Sequence, residues 1–306
     1  MIYTLTLNPA LDYVMDVGDI KFASTNRSSA ESISFGGKGI NVSVILSRLG
    51  IPTTALGFAA GFTGAELVKA LEKQGINADF TKLSSGMTRI NVKLRSGGSI
   101  TEINSAGPDI TNTDLQALYS KLATISGEDT LVLAGSIPKG VKSSIYSDIM
   151  AYLSGKGIRF VVDATGETLL QALKYNPFLI KPNRDELEEL LGVTISTDEQ
   201  IIESAQKLKN MGAGNVLVSL GEDGAILLDS IGNVHKSPSH KITPKNTVGA
   251  GDSMVAGFIA GADKGYGYAL RLGIAAGAAT AASETLATKS EILKFMYEWV
   301  DSFENC

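Results

Sequence analysis

Two glycines and one acid, at a spacing suited to handling a phosphate, occur in Asn246-Thr247-Val248-Gly249-Ala250-Gly251-Asp252-Ser253, directly before the apolar stretch Met254 to Gly261. The first N–H groups of a helix have no partner within it and, together with the helix dipole, attract anions. Gly249 and Gly251 lack the Cβ atoms that would hold a phosphate away from those donors. A carboxylate in the same place repels phosphate, so Asp252 is a candidate base for a hydroxyl that attacks one. Asp and Ser also serve as ordinary first-turn residues satisfying orphan N–H groups, and the octet alone supports both readings.

Other stretches offer complementary chemistry. Ser34-Phe35-Gly36-Gly37-Lys38-Gly39-Ile40-Asn41 is a second glycine-rich turn opening a helix. It lacks the spacing of a P-loop, and no strand runs into a complete dinucleotide fingerprint. The turn suits a polyhydroxylated or anionic ligand, or is only a turn. Asp12 follows Asn8-Pro9 at the end of the first strand, where its two oxygens could hold adjacent hydroxyls or merely shape a turn. Arg89 and Lys93 share a strand face and Arg27 lies upstream; they are solvated charges or the cations that a phosphate requires. In Lys181-Pro182-Asn183-Arg184-Asp185-Glu186, Asn183 and Glu186 fit a capping box, and the same pair could order water around Mg²⁺. Ser219, Gly221 and Gly224 lie in a tight turn that offers backbone groups to a nucleotide, or only closes a hairpin. His235 and His240 have no metal-ligand spacing and read as surface residues.

The elements that must position these residues alternate. Strand-like runs at Tyr3–Leu7, Thr54–Phe58, Thr130–Leu133, Phe160–Val162, Phe178–Ile180 and Val216–Leu220 are mostly followed by helical patterns, which predicts a mostly parallel sheet covered by helices on both faces. Two stretches break the pattern with period-2 polarity: Asp12–Val17 with Ser28–Ser34, and Arg89–Leu94 with Thr101–Asn104 around Ser96-Gly97-Gly98-Ser99. They predict a small inserted β-lid whose unpaired apolar face suggests a homodimer. The chain closes with three helical segments, near Ser253–Asp263, Tyr268–Ser283 and Ser290–Phe303.

Composition sets limits. With 44% apolar and 19% charged residues and a formal charge of −5, nothing attracts nucleic acid or an anionic membrane. Cys306 is the single cysteine, which excludes an intrachain disulfide and fits a reducing, cytoplasmic compartment. There is no signal-peptide pattern, and the Ala- and Gly-rich Leu272–Ala282 is too short to cross a bilayer.

Gly36 to Asn41 and Asn246 to Ser253, in this order and with Lys181-Pro182-Asn183 and Glu186 between them, resemble the two signatures of the ribokinase-like (PfkB) sugar kinases. The resemblance covers essentially the whole chain. Thr4 to Asp12, Thr88 to Lys93 and Leu133 to Pro138 are similar to members acting on phosphorylated sugars; Ala10 to Val14 and Val161 to Gly166 are most similar to those taking fructose 1-phosphate. The resemblance implies one three-layer α/β/α domain over residues 1–306, with a lid at about 12–34 and 88–104. It implies an ATP- and Mg²⁺-dependent enzyme phosphorylating fructose 1-phosphate at O6 to give fructose 1,6-bisphosphate and ADP. The alternatives are a tagatose 6-phosphate kinase or other phosphosugar kinase of the family, and a non-catalytic module responding to sugar phosphates.

The same resemblance implies roles. Asp252 would be the base, with Gly249, Ala250 and Gly251 as anion hole. Asp12, Gly36, Gly37, Lys38, Asn41, Arg89 and Arg27 would hold the sugar phosphate. Lys181, Asn183, Ser219, Gly221, Gly224 and Asn246 would border ATP, and Glu186 would act on magnesium through water. An ordinary aspartate pKa of about 4 makes Asp252 a weak base, tolerable because phosphoryl transfer lets deprotonation come late.

Overall fold

The structure, a computed structural model, describes the backbone of residues 1–303 and the side chains of residues 1–297; Cys306 lies outside the described residues. The first half contains β1 (Ile2–Thr6), β2 (Ala10–Val17), β3 (Ser28–Gly36), α1 (Lys38–Leu49), β4 (Thr53–Ala59), α2 (Gly61–Lys73), β5 (Asn77–Ala78), β6 (Thr81–Lys82), β7 (Arg89–Ser96), β8 (Ser99–Ile103), α3 (Asn112–Leu122), β9 (Thr130–Ala134) and α4 (Ile145–Tyr152). The second half contains β10 (Arg159–Asp163), α5 (Gly166–Leu173), β11 (Leu179–Ile180), α6 (Arg184–Leu191), α7 (Asp198–Asn210), β12 (Asn215–Ser219), β13 (Ala225–Leu228), β14 (Val234–Ser237), α8 (Ala250–Gly261), α9 (Tyr266–Ala282) and α10 (Lys289–Phe303).

A ten-stranded sheet runs in the order β14-β13-β12-β11-β10-β9-β1-β4-β5, with β6 also paired to β4. Alternate residues of its middle strands point into separate cores. Leu131 and Leu133 meet α3, α4 and α5 on one face, while Val132 and Ala134 meet α1, α8 and α9 on the other. Burial on both faces explains why these strands are near-continuous apolar runs. Every pairing is parallel except the edge hairpin of β12, β13 and β14. That hairpin and the two-turn α5 add to the expected alternation; each is too short to carry a periodic signal.

The order reverses at β1, which lies between β4 and β9. Crevices at such a switch point, beyond the carboxyl ends of the strands, are where α/β sheets hold ligands. Asn8, Gly135, Asp163, Lys181 and Ser219 all lie at these ends. β1 also grips α1 through hydroxyls: Thr4 Oγ1 lies 2.8 Å from Ser43 Oγ, and Thr6 Oγ1 accepts from the Ile40 N–H at 3.1 Å.

A second, four-stranded sheet has the order β3-β2-β7-β8. Its outer pairs are antiparallel, but β2 and β7 are parallel, a join that the two sequence-local pairs could not reveal. The register gives it two unlike faces. Asp12, Asn91, Lys93 and Ser34 share one; Tyr13, Met15, Val92, Leu94, Ile33 and Ile103 share the other. Only the root of the apolar face, Leu11, Phe35 and Ile90, reaches a core cluster, whereas Ile33 and Ile103 are 59% and 57% exposed.

At the C-terminal end α8 lies against α9. A Cβ on Gly257 would stand 2.5 Å from the Leu272 carbonyl oxygen, so the two backbones touch in a way that only glycine permits. No helix among the described residues is long and apolar enough to cross a membrane. Thr6→Val keeps the side-chain shape but strands the buried Ile40 N–H, and is expected to cost about 1–3 kcal/mol of stability in urea unfolding.

Candidate active site

Asp252 sits in the first turn of α8, 7% exposed. Gly249 caps the helix in the left-handed conformation (φ 81°), pressed between neighbours that leave no room for a side chain: a Cβ there would lie 2.6 Å from Leu286 Cδ2. Ser253 N–H donates to the Gly249 carbonyl at 2.8 Å, and Ala250 N–H turns back to Thr247 O at 3.2 Å. Among the described residues this leaves the N–H groups of Gly249, Gly251 and Asp252 without an acceptor, the orphan donors that an anion needs. Ala250, expected in the anion hole, spends its N–H on the turn and does not line the cleft; the Asp252 N–H takes its place.

Across the cleft floor, Asn41 Nδ2 donates to Asp252 Oδ2 at 2.8 Å. The amide expected to hold the sugar is thus engaged with the acid. Burial pushes the Asp252 carboxyl up to about 6, and the negative charge of Asp163 adds to the rise, against the opposing Asn41 bond and the charges of Lys38 and Lys181. The ordinary value of about 4 expected from residue type is corrected accordingly: a dry, acid-flanked carboxylate binds its proton more tightly.

Asp163, which sequence reasoning passed over, is the hub of the charges. It ends β10 at 2% exposure. Its Oδ1 lies 3.1 Å from Lys38 Nζ and 3.8 Å from Lys181 Nζ, and its Oδ2 is buried without a hydrogen-bond partner. An acid closing the apolar run Phe160-Val161-Val162 in a doubly wound sheet was the available signal. Burial alone would lower the Lys38 ammonium, but the charges of Asp163 and Asp252 outweigh it and hold its pKa above the usual range. Lys181 Nζ stands 3.3 Å from where a Cβ on Gly251 would be, which places an ammonium group beside the first turn of α8.

The second sheet forms one wall. Asp12 accepts from Asn91 Nδ2 at 2.9 Å and pairs with Lys93 Nζ at 3.2 Å. Both of its oxygens therefore have protein donors, though a carboxylate has about four acceptor sites. Arg89 crosses from the sheet to the main domain, donating to Asn8 O (3.2 Å), Ser105 O (3.3 Å) and Ser136 Oγ (3.5 Å). Gly36 and Gly37 lie between this wall and Lys38.

The opposite wall starts at α6. Asn183 and Glu186 form the expected capping box, Asn183 Oδ1 accepting from Glu186 N–H at 2.7 Å and Glu186 Oε2 from Asn183 N–H at 2.9 Å. Ser219, Gly221 and Asn246 continue it. The cleft is about 1010 Å³ and contains both walls and Asp252, room for two ligands end to end.

Besides Ala250, two further predicted residues lie outside the cleft. Gly224 closes the β12–β13 turn, its N–H donating to Gly221 O at 3.2 Å, and does not reach the cleft. Arg27 is exposed in the loop before β3, seven residues beyond the Ser34 that pairs with Asp12, roughly 23 Å along a strand. Within this chain it is not brought to the site. The histidines are not plain surface residues either: His235 Nε2 bonds the buried Asp229 at 2.8 Å, and His240 packs edge-on to Phe295.

The pfkB family carbohydrate kinase profile matches residues 5–292. A 1-phosphofructokinase of Bacillus subtilis is 41% identical over 304 residues, covering 97% of this chain and 98% of that protein. A D-tagatose-1-phosphate kinase of Bacillus licheniformis is 35% identical, covering 95% and 96%. Phosphofructokinase-2 from Escherichia coli, solved in complex with substrates and products, is 31% identical and superposes with a TM-score of 0.91 over 97% of this chain and 98% of that one. Its tetrameric inhibited form gives 0.87 at 30% identity over 98% and 99%. Sequence and backbone agree over nearly the full length, and the chain belongs to the pfkB family of carbohydrate kinases.

Proposed function

We propose that the cleft transfers the γ-phosphoryl group of ATP to O6 of fructose 1-phosphate, giving fructose 1,6-bisphosphate and ADP. The observation that carries the reading is the buried Asp252 beside three free N–H donors, held by Asn41 between two walls. The similarity to a 1-phosphofructokinase over nearly the whole chain supports this choice of sugar. The similarity to a D-tagatose-1-phosphate kinase makes tagatose 1-phosphate the second reading.

In this mechanism Arg89 and Lys93 attract the sugar's phosphate, and Asp12 accepts from ring hydroxyls. O6 then meets Asp252, which takes its proton as the new P–O bond forms and the bond to ADP breaks. The N–H groups of Gly249, Gly251 and Asp252, with Lys38 and Lys181, stabilise charge on the moving group. The second sheet acts as a lid that excludes water and so limits ATP hydrolysis.

The residues present suit Mg²⁺. Asp163 Oδ2 is a buried oxygen lacking a partner, and Glu186 faces the same cleft. No cluster of three or more ligating side chains occurs among the described residues, as fits an ion that keeps its waters and leans on phosphates. When bound, the ion would neutralise phosphate charge, with Glu186 acting through water.

A coupled ADP-release assay across fructose 1-phosphate, tagatose 1-phosphate, fructose 6-phosphate and tagatose 6-phosphate should give the highest kcat/KM for the first. Binding without ADP formation for all four would instead mark a sugar-phosphate-responsive module. In the same assay Arg89→Ala should lose about 1.5–3 kcal/mol of transition-state stabilisation with phosphosugars and little with free fructose.

Asp252 works unprotonated, so kcat should be half-maximal near pH 6, level off about one unit above it and fall about tenfold per unit well below it. Asp252→Asn should lower kcat by roughly 10²- to 10⁴-fold, leave KM nearly unchanged and abolish that acid limb. A variant of near-normal kcat removes Asp252 from the mechanism.

The half-exposed apolar face of the lid supports a homodimer in which two lids pack together. Sedimentation should show a dimer that Ile33→Glu with Ile103→Glu converts to monomer; a monomeric parent protein sinks the idea.

A further inference from the structure

Arg48 has no part in the chemistry above, yet it sits at a junction. It occupies the last turn of α1, and its Nη1 donates to two main-chain carbonyls of the α9–α10 connection, Leu286 O and, at 3.0 Å, Ala287 O. It is half-buried, and burial lowers its pKa from the ordinary value, partly offset by the Glu291 carboxylate. No carboxylate among the described residues lies within ion-pair distance of it. The desolvation of this half-buried cation is offset by its two carbonyl bonds, which tie α1 to the α9–α10 connection.

The held segment matters to the cleft. Glu284, Thr285 and Leu286 line it beside Asn246 and Val248, and Leu286 Cδ2 presses on Gly249, the first residue of the anion hole. Helix α1 therefore grips the start of α8 twice: at its N-terminal end through Asn41 to Asp252, and two turns later through Arg48 and Leu286.

We propose that Arg48 is a positioning residue for the nucleotide half of the site. By fixing the Glu284–Ala287 wall against Gly249 it keeps the anion hole in register with the ATP phosphates. The inference rests on the kinase reading given above. Loss of the guanidinium frees the wall without touching the sugar side, so the damage falls on ATP.

The test is steady-state kinetics of the full chain with Arg48→Ala, Arg48→Lys and Leu286→Ala, alongside ATP binding by calorimetry. The parent protein's ADP release comes first; if it is absent, the kinase reading fails and the calorimetry alone judges Arg48. Arg48→Ala should raise KM and Kd for ATP by about tenfold while KM for the sugar phosphate stays within about twofold. Arg48→Lys should fall between, and millimolar guanidinium should restore part of the ATP affinity of Arg48→Ala, which a purely structural loss would not allow. Should Arg48→Ala fail to fold, Leu286→Ala, which leaves the carbonyl bonds intact, should show the same selective effect. Unchanged ATP affinity in a folded variant, or equal losses for both substrates, overturns the proposal.

Discussion

The hydrogen bond from Asn41 to Asp252 is the constraint on which the site depends. It joins the first turns of two helices contributed by distant parts of the chain, and it does so under burial, where an unmet carboxylate would be costly. Everything that positions Asn41, from the hydroxyls of Thr4 and Thr6 to the glycines before α1, therefore also positions the acid. The glycine contact between α8 and α9 does the same from the other side. A charged group out of water tolerates little misplacement, so precision here is enforced by the electrostatics rather than by rigidity alone.

The same low-dielectric floor explains the charge pattern. Two ammonium groups near an anion hole repel each other when the site is empty, and the carboxylate of Asp163 between them offsets that repulsion. Its charge also reaches Asp252 and strengthens it as a base. One buried acid thus acts on both sides, holding two cations and making its neighbour more willing to take a proton. A chain of formal charge −5 nonetheless presents Lys38, Lys181 and Arg89 in one cleft.

Much of this was legible in the residues. The alternation of apolar runs carried the parallel sheet, because strands buried on both faces must be apolar throughout. The two glycine-rich turns carried the floor of the cleft, and period-2 polarity carried the second sheet. What escaped was of another kind. The bond from Asn41 to Asp252 spans 211 residues, and no local pattern encodes such a pairing. Asp163 hid at the end of a strand whose hydrophobicity explained itself. Gly224 and Arg27 fell on the right motifs but not at the cleft of this chain, since a turn can be glycine-rich for its own geometry and a cation can sit at the far end of the correct strand. The shift of Asp252 could not be read from residue type, because it comes from burial.

The wide separation of the two helix starts has a consequence for the chain while it is being made. Residues up to Ile103 can already form the second sheet and the α1 turn, but the acid is made only after 251 others. At about 5–20 residues per second the 211 residues from Asn41 to Asp252 take roughly 11–42 s, during which Asn41 has no Asp252 to face. The growing polypeptide can thus form one wall of the cleft well before its floor is complete. The floor of the cleft arrives late, with α8, and docking of that helix brings Asp252 to Asn41.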